Sequence, residues 1–247
     1  MFGNHAAASS ELSNYNHPPL QHLAVIMDGN RRWAERSALP VIEGYRQGGR
    51  TVVEFLNWCD ACRIPRVTLW PLSLENLKRD PKEVAALLDV IVDVIHTLAA
   101  IGRWRLSFVG QLCKLPTSVI QAIEKAQGTA RIGSGMYVDI AIAYSGRDEI
   151  VSAFKSILLE SMAAGSFAQL AETLSLEDIN THLYSAGKPD PDLIIRTSGE
   201  HRLSGFMPWQ STYSEFHFSS VCWPEFGKDD FDAAINSYLQ RQRRFGA

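Results

Sequence analysis

Along the chain, short runs of consecutive apolar residues alternate with longer stretches in which apolar positions recur every three or four residues. The short runs fit strands buried on both faces, and the longer ones fit amphipathic helices. On this pattern strands are predicted over residues 23–27, 66–72, 105–109, 137–144, 193–197 and 215–219. Helices are predicted near 44–62, 81–100, 117–130, 147–164, 175–185 and 228–244. Such alternation predicts βαβ units with right-handed crossovers: an α/β fold in a single domain, with a central, mainly parallel six-stranded sheet flanked by helices. Residues 1–19, rich in Ala, Ser and Asn and without periodicity, are expected to form a flexible arm, with residues 20–247 as the folded domain.

In open parallel sheets ligands lie beyond the carboxyl ends of the strands, so the residues that follow each run carry the chemistry. The first run ends in Asp28-Gly29-Asn30-Arg31-Arg32-Trp33. Gly29 lets the backbone turn close to a ligand, the next helix offers free N–H groups to an anion, and Asp28 is placed to hold Mg²⁺. Taken alone these residues also fit a plain strand-to-helix loop. The second run ends in Ser73-Leu74-Glu75-Asn76 with Arg79 behind it, and the fourth in Tyr144-Ser145-Gly146-Arg147. The fifth ends in Arg196-Thr197-Ser198-Gly199-Glu200-His201-Arg202-Leu203-Ser204, whereas the third, Val109-Gly110-Gln111, brings no charge. Parallel strands put these ends on one edge, so Asp28, Asn30, Arg32, Asn76, Arg79, Arg196 and Arg202 are expected to converge. Arginine grips phosphate oxygens in bidentate fashion, and such an edge with a serine hydroxyl and a glycine turn suits one or two diphosphates.

Composition narrows the picture. A chain of 247 residues, 46% apolar, buries one substantial core. A net charge of −3 argues against a general nucleic-acid binder, so the cationic edge is a local cluster. Four cysteines (Cys59, Cys62, Cys113 and Cys222) are too scattered for a disulfide framework, and with no signal peptide visible a cytoplasmic location is expected. The Cys59–Cys62 spacing falls on a helical face with Val52, Phe55 and Leu56, which favours a core helix over a redox pair. Residues 84–101 are interrupted by Asp89, Asp93 and His96 at helical spacing, so they read as an amphipathic helix, leaving at most peripheral membrane contact. Neither G-x-G-x-x-G nor G-x-x-x-x-G-K-[ST] occurs, which argues against a nucleotide-dependent enzyme.

Over nearly all of residues 20–246 the chain resembles the cis-prenyltransferases, the Z-type isoprenyl diphosphate synthases that include undecaprenyl diphosphate synthase. The matching motifs are H-x-A-x-x-M-D-G-N-x-R-W-A at 22–34, S-x-E-N-x-x-R at 73–79, G-R-D-E-I at 146–150 and P-D-P-D-L-x-I-R-T-S-G-E-x-R-L-S-x-F-x-x-W-Q at 189–210. Tyr213 with Glu215, Trp223-Pro224 and residues 243–246 complete the set. The resemblance implies a homodimeric transferase that binds small isoprenyl diphosphates with Mg²⁺ as cofactor, its catalytic domain spanning residues 20–247. It implies an allylic diphosphate held by Gly29, Arg31, Arg32 and Trp33, with Arg79 nearby and Asp28 on the metal. A second diphosphate would be held by Arg196, Arg202 and Ser204, with Glu215 helping to carry the metal and Arg244 and Gly246 reaching across the dimer. Asn30, Ser73 and Asn76 would surround the reacting carbons or help move the departing proton, and with Asp28 they form the implied catalytic set. The hydrocarbon tail would lie along the 84–101 helix, whose Leu87, Leu88, Ile91, Val94, Ile95 and Leu98 also suit a simple core.

Several departures from the family pattern sit near the reacting centre. Leu74 replaces a small hydroxyl residue, Trp70-Pro71 a smaller lead-in, and Ser145-Gly146-Arg147 a Gly-Gly-Arg turn. Gln111 replaces an acid, Met207-Pro208 precede Trp209-Gln210, and Val41 and Tyr45 stand where many long-chain members carry a cation and a histidine. Diphosphate-binding residues are kept while the surroundings of the carbon skeleton differ. The expectation is a short product of about ten to twenty carbons. Alternatives are an irregular head-to-middle condensation giving a branched, lavandulyl-type diphosphate, and a non-catalytic dimer-partner subunit.

Overall fold

A computed structural model describes residues 19–130 and 135–241. The arm 1–18, and Arg244 and Gly246, lie outside the described residues. In chain order the strands are β1 (His22–Ile26), β2 (Arg66–Ser73), β3 (Arg105–Val109), β4 (Tyr137–Tyr144), β5 (Leu193–Arg196) and β6 (Glu215–Phe218). The helices are α1 (Asn30–Arg36), α2 (Val41–Ala61), α3 (Pro81–Ile101), α4 (Thr117–Ala130), α5 (Gly146–Ala163), α6 (Leu170–Thr173), α7 (Leu176–His182) and α8 (Lys228–Gln240). The strands form one six-stranded sheet in the order β3-β4-β2-β1-β5-β6. Every pairing in it is parallel.

The strands match the apolar runs within a residue or so, because unbroken apolar runs in a parallel sheet are covered on both faces; β1 and β5 are buried throughout. Two short helices have no counterpart among the periodic spans: α1, the helix expected after the Gly29 turn, and α6. They span only Asn30–Arg36 and Leu170–Thr173, too short to show a helical period. Helix α3 carries strong boundary signals. The Asp80 side chain accepts from the N–H groups of Lys82 and Glu83, Pro81 opens the helix, and Gly102 ends it in the left-handed region at φ 68°.

Helices α2, α3, α4 and α8 share one large core with one face of the sheet, through Phe55, Leu56, Leu88, Ile95, Ile123 and Phe231 among others. A smaller cluster on the other face gathers Ala24, Ile26, Trp70, Ala141, Tyr144, Ile194, Phe206 and Met207. Buried Glu149 at the start of α5 holds this side together: its carboxylate accepts from the Tyr144 hydroxyl at 2.6 Å, the Tyr184 N–H at 2.8 Å and the Gln210 amide at 3.1 Å. Cys59 is buried in the larger core, and all four cysteines are free.

Helix α3 is long and apolar enough to cross a membrane by composition, with a mean hydropathy of 2.1. Its buried Leu87, Leu88, Val90, Ile91, Ile95 and Leu98 face the core, while Asp89, Asp93, His96 and Thr97 are exposed. That division is the expected amphipathic one.

Candidate active site

Parallel register carries the ends of β1, β2 and β5 to one level. Ile26 is opposite both Trp70 and Arg196. Beyond that level the chain turns at Gly29, whose φ of 103° suits glycine. A Cβ there would lie 2.9 Å from Cys222 and from the Ser198 side chain, so the close approach also requires it. The backbone carbonyl of Asp28 accepts from the Thr197 hydroxyl at 2.6 Å and the Trp223 N–H at 2.9 Å, which fixes the acid's position.

Arg196 is 4% exposed, and its Nη2 donates to Asp28 Oδ2 at 2.9 Å. Its Nη1 donates to the Ser204 hydroxyl at 2.8 Å and to the Arg202 carbonyl. Left-handed backbone at Ser198 (φ 75°), Gly199 (φ 74°), Ser204 (φ 52°) and Gly205 (φ 86°) folds residues 198–205 back over Arg196. Arg32 lies 3.4 Å from the same Asp28 oxygen and donates to the Ser198 carbonyl at 3.1 Å and to Glu200 at 3.3 Å. The exposed Arg202 guanidinium pairs with Glu200 as well. Burial pushes the Asp28 carboxyl up, but the Arg196 hydrogen bond and charge, the Gly29 N–H and Arg32 more than offset it, and its pKa lies below the ordinary value. Asp28 is therefore a carboxylate at neutral pH.

A second cluster stands across the cleft on α2, α3 and the turn after β2. Glu83 accepts from the Tyr45 hydroxyl at 2.7 Å and from Arg79 at 3.3 Å, with Arg31 at 3.6 Å. Burial and the Glu83 carboxylate push the Tyr45 phenol up to about 12, so it stays a donor. The Ser73 hydroxyl accepts from the Asn76 N–H at 3.1 Å, and the Asn76 side-chain oxygen accepts from the Ser73 N–H at 3.3 Å, which closes the turn.

Between these clusters lies a polar cleft of about 700 Å³. Of the residues singled out in the sequence, Asp28, Gly29, Asn30, Arg31, Arg32 and Ser73 line it, and so do Asn76, Arg79, Arg196, Arg202 and Ser204. Trp33 does not. Glu215 is also elsewhere. It opens β6 opposite Leu193, whereas Arg196 is opposite Phe218, three residues further toward the carboxyl edge. At about 3.3 Å per residue that is about 10 Å along the sheet, so one chain does not bring Glu215 to Asp28. Instead Glu215 pairs with Arg241 at 2.5 Å. The expectation that both acids carry one metal is thus not met within a single chain. Glu83 and Glu200, which the motifs did not single out as site residues, hold four of the cleft's arginines; the signal was the i, i+4 spacing of Arg79 and Glu83 and the flanking of Glu200 by Arg202.

The cleft opens into a narrow apolar pocket of about 60 Å³ running along α3. Met27, Asn30, Tyr45, Pro71 and Leu87 line both. Ile91, Val94 and Ile95 continue the pocket, while Leu88 and Leu98 are core residues outside its wall. Gly48 and Gly49 let it pass: a Cβ at Gly48 would meet the Asn30 side chain at 2.3 Å, and one at Gly49 would meet Val94 at 2.8 Å.

Residues 26–246 match the family model described as putative undecaprenyl diphosphate synthase. A (2Z,6E)-farnesyl diphosphate synthase of Thermobifida fusca is 48% identical over 233 residues, covering 94% of this chain and 91% of that protein. Another of the same description from Mycolicibacterium smegmatis is 44% identical over 230 residues, covering 92% and 88%. The crystal structure of lavandulyl diphosphate synthase from Lavandula x intermedia in complex with dimethylallyl diphosphate superposes with a TM-score of 0.87 at 31% identity, covering 93% of this chain and 99% of that one.

Proposed function

The chain belongs to the undecaprenyl diphosphate synthase family of prenyltransferases, and from that premise we propose that it joins a short allylic diphosphate to a C5 diphosphate, releasing diphosphate and a short-chain product. One observation carries this reading: a cationic cleft and an apolar pocket share the walls Met27, Asn30, Tyr45, Pro71 and Leu87. A substrate with an anionic head and a hydrocarbon tail is what such a joint accommodates. The pocket's 60 Å³ corresponds to roughly four to six water-sized groups, about one isoprene unit, which supports a short product. Two of the relatives are described as (2Z,6E)-farnesyl diphosphate synthases, which supports a short product as well.

Ionisation of the allylic C–O bond leaves a delocalised cation and a diphosphate. Arg31, Arg32 and Arg79 would grip the leaving group, while the Arg196, Arg202 and Ser204 wall would hold the acceptor's diphosphate. The apolar pocket would keep water from the cation. Asn30, Ser73 and Asn76 would border the reacting carbons. Mg²⁺ takes one or two carboxylates together with substrate phosphates, and the ionised Asp28 fits that donor set. Among the described residues no cluster of three His, Cys, Asp or Glu forms a dedicated cage. When bound, the metal would help neutralise the leaving diphosphate.

Homodimer formation belongs to the same proposal, because Glu215, remote from Asp28 of its own chain, could serve the site of a second copy. The four free cysteines support a reducing, cytoplasmic setting.

A head-to-middle condensation giving a branched diphosphate is the second reading. The register of β2 against β4 breaks between Leu69 and Leu72, at Trp70-Pro71, which re-aims the residues bordering the acceptor. Incubation with dimethylallyl, geranyl and isopentenyl diphosphates, followed by mass and connectivity analysis of the product, tests both. A product of about ten to twenty carbons is expected, linear or branched, and a polyprenyl product of about fifty carbons or more refutes the reading.

A further inference from the structure

We propose that Trp70 is a specificity-determining residue for the acceptor: its indole walls the acceptor subsite and its N–H donates to an oxygen of the acceptor's diphosphate beside Arg196. This inference rests on the prenyl-transfer reading above.

The geometry begins with register. Trp70 on β2 and Arg196 on β5 flank Ile26 on β1 at one level. In-register neighbours of a parallel sheet project to the same face, and two strand spacings separate the outer pair by about 10 Å at the backbone. The space between two long side chains anchored so far apart suits a phosphate group. Ile26 is its apolar floor, and Trp70, Ile26, Arg196 and Ser204 all line the cleft.

Trp70 is rigidly held. Its ring stacks on Phe206 at 4.9 Å and 13°, and meets Tyr144 edge-on at 6.3 Å and 87°. Phe206 closes the segment that carries Arg202 and Ser204, so the indole and the acceptor-side loop are one packed unit. Pro71, next to it, supplies no N–H to the ladder and sits at the register break, which sets the direction of the indole.

Hydrogen bonding completes the argument. Trp70 is 7% exposed and Arg196 4%, yet neither Trp70 Nε1 nor Arg196 Nε has a hydrogen-bond partner. A buried donor left unpaired costs more than a made bond returns; Trp104 Nε1, in the larger core, is unpaired as well, so what sets Trp70 and Arg196 apart is that both line the cleft. Two such donors on the wall of one cleft, closed to solvent in this fold, meet a ligand rich in acceptor oxygens once a small side-chain shift uncovers them.

Trp70→Phe keeps a ring on Phe206 and removes the donor. Isopentenyl diphosphate alone is titrated calorimetrically into wild type and variant, and KM for each substrate and kcat are measured. The acceptor Kd and KM are expected to rise about tenfold, while the allylic KM and kcat stay within about twofold. An unchanged acceptor Kd, or an equal loss for both substrates, overturns the proposal. Phe206→Leu, which removes the stacking ring but keeps the donor, is expected to weaken acceptor binding less than Trp70→Phe, and the reverse order also overturns it. A wild-type chain that bound isopentenyl diphosphate but transferred no prenyl group would defeat the functional reading, while the calorimetric comparison would still decide the role of Trp70.

Discussion

Arg196 and Asp28 hold each other at 2.9 Å from adjacent strands, one nearly buried and the other a third exposed, across a backbone that Thr197 and Trp223 clamp in place. The pair gives the cleft a fixed carboxylate beside a fixed cation before any substrate arrives, which is preorganisation in the sense that matters for charge developing on a leaving group.

Replacing Asp28 with Ala is therefore expected to lower kcat by about a hundredfold or more. Asp28→Asn, which keeps a hydrogen-bond acceptor for Arg196, is expected to lose similar activity with a smaller loss of stability, because Ala leaves a buried guanidinium unpaired. Steady-state rates together with urea unfolding of both variants check this. A chain acting only as a partner's scaffold would show no activity to lose.

The apolar pocket should set product length. Val94→Ala removes two carbons from its wall and is expected to shift the product distribution toward the next longer member. Gly49→Ala places a methyl 2.8 Å from Val94 and is expected to shorten the product or to lower kcat with the longer allylic substrate. Chromatography of products from the paired variants reads the direction. Movement of both variants the same way would show that the pocket does not hold the tail.

Tyr45 joins the pocket to the cleft. Its hydroxyl, with a pKa near 12 because of burial and Glu83, stays protonated at working pH. Tyr45→Phe removes one donor to Glu83 and one acceptor of Arg79, and is expected to cost about 1 kcal/mol of stability. The pH–rate profile between about 6 and 9 should keep its shape, since this phenol does not titrate there. A lost alkaline limb in the variant would assign the phenol a proton-transfer role instead.

On the far edge of the sheet, buried His22 is bonded to the Pro189 carbonyl through Nδ1 at 2.8 Å and to the Thr68 hydroxyl through Nε2 at 2.8 Å. Only a protonated Nδ1 can bond a carbonyl, so the neutral ring donates there and accepts from Thr68. Burial, with the nearby Arg66, lowers its pKa to about 4, against the Pro189 bond and the charges of Asp139 and Asp192 that raise it. The unfolded chain therefore binds a proton that the folded chain refuses between about pH 6.5 and 4, and stability is lost as pH falls through that window, by up to about 3 kcal/mol. Thermal unfolding of wild type and His22→Gln over this range is expected to show a shallower slope for the variant. Parallel slopes would exclude His22 as the titrating group.

Asp28, Arg196, Ser73 and Asn76 could be placed from sequence because parallel strands deliver their ends to one edge whatever the loops do, and an apolar run announces a strand without help from its neighbours. Glu83 and Glu200 were not, although the spacing of Arg79 and Glu83 and the flanking of Glu200 by Arg202 hinted at pairing, because a carboxylate that pins arginines looks much the same in a sequence as one that faces solvent. Trp33 followed its motif but not the cleft, since at 3.6 residues per turn it falls on the side of α1 opposite Arg31 and Glu35, which line it. Glu215 opens its strand, and in a parallel sheet that puts it at the amino edge, away from the strand ends that carry Asp28 and Arg196.

By itself, then, the amino-acid order determined the alternation of strands and helices, the parallel sheet, the family and the set of arginines at strand ends, all of which depend on local apolar periodicity and turn chemistry. Only the tertiary structure decided which α3 residues face the pocket, which acids neutralise which arginines, and that Trp70 and Arg196 stand at one level with free donors. Those are distances between segments far apart in the chain, and register and side-chain packing set them.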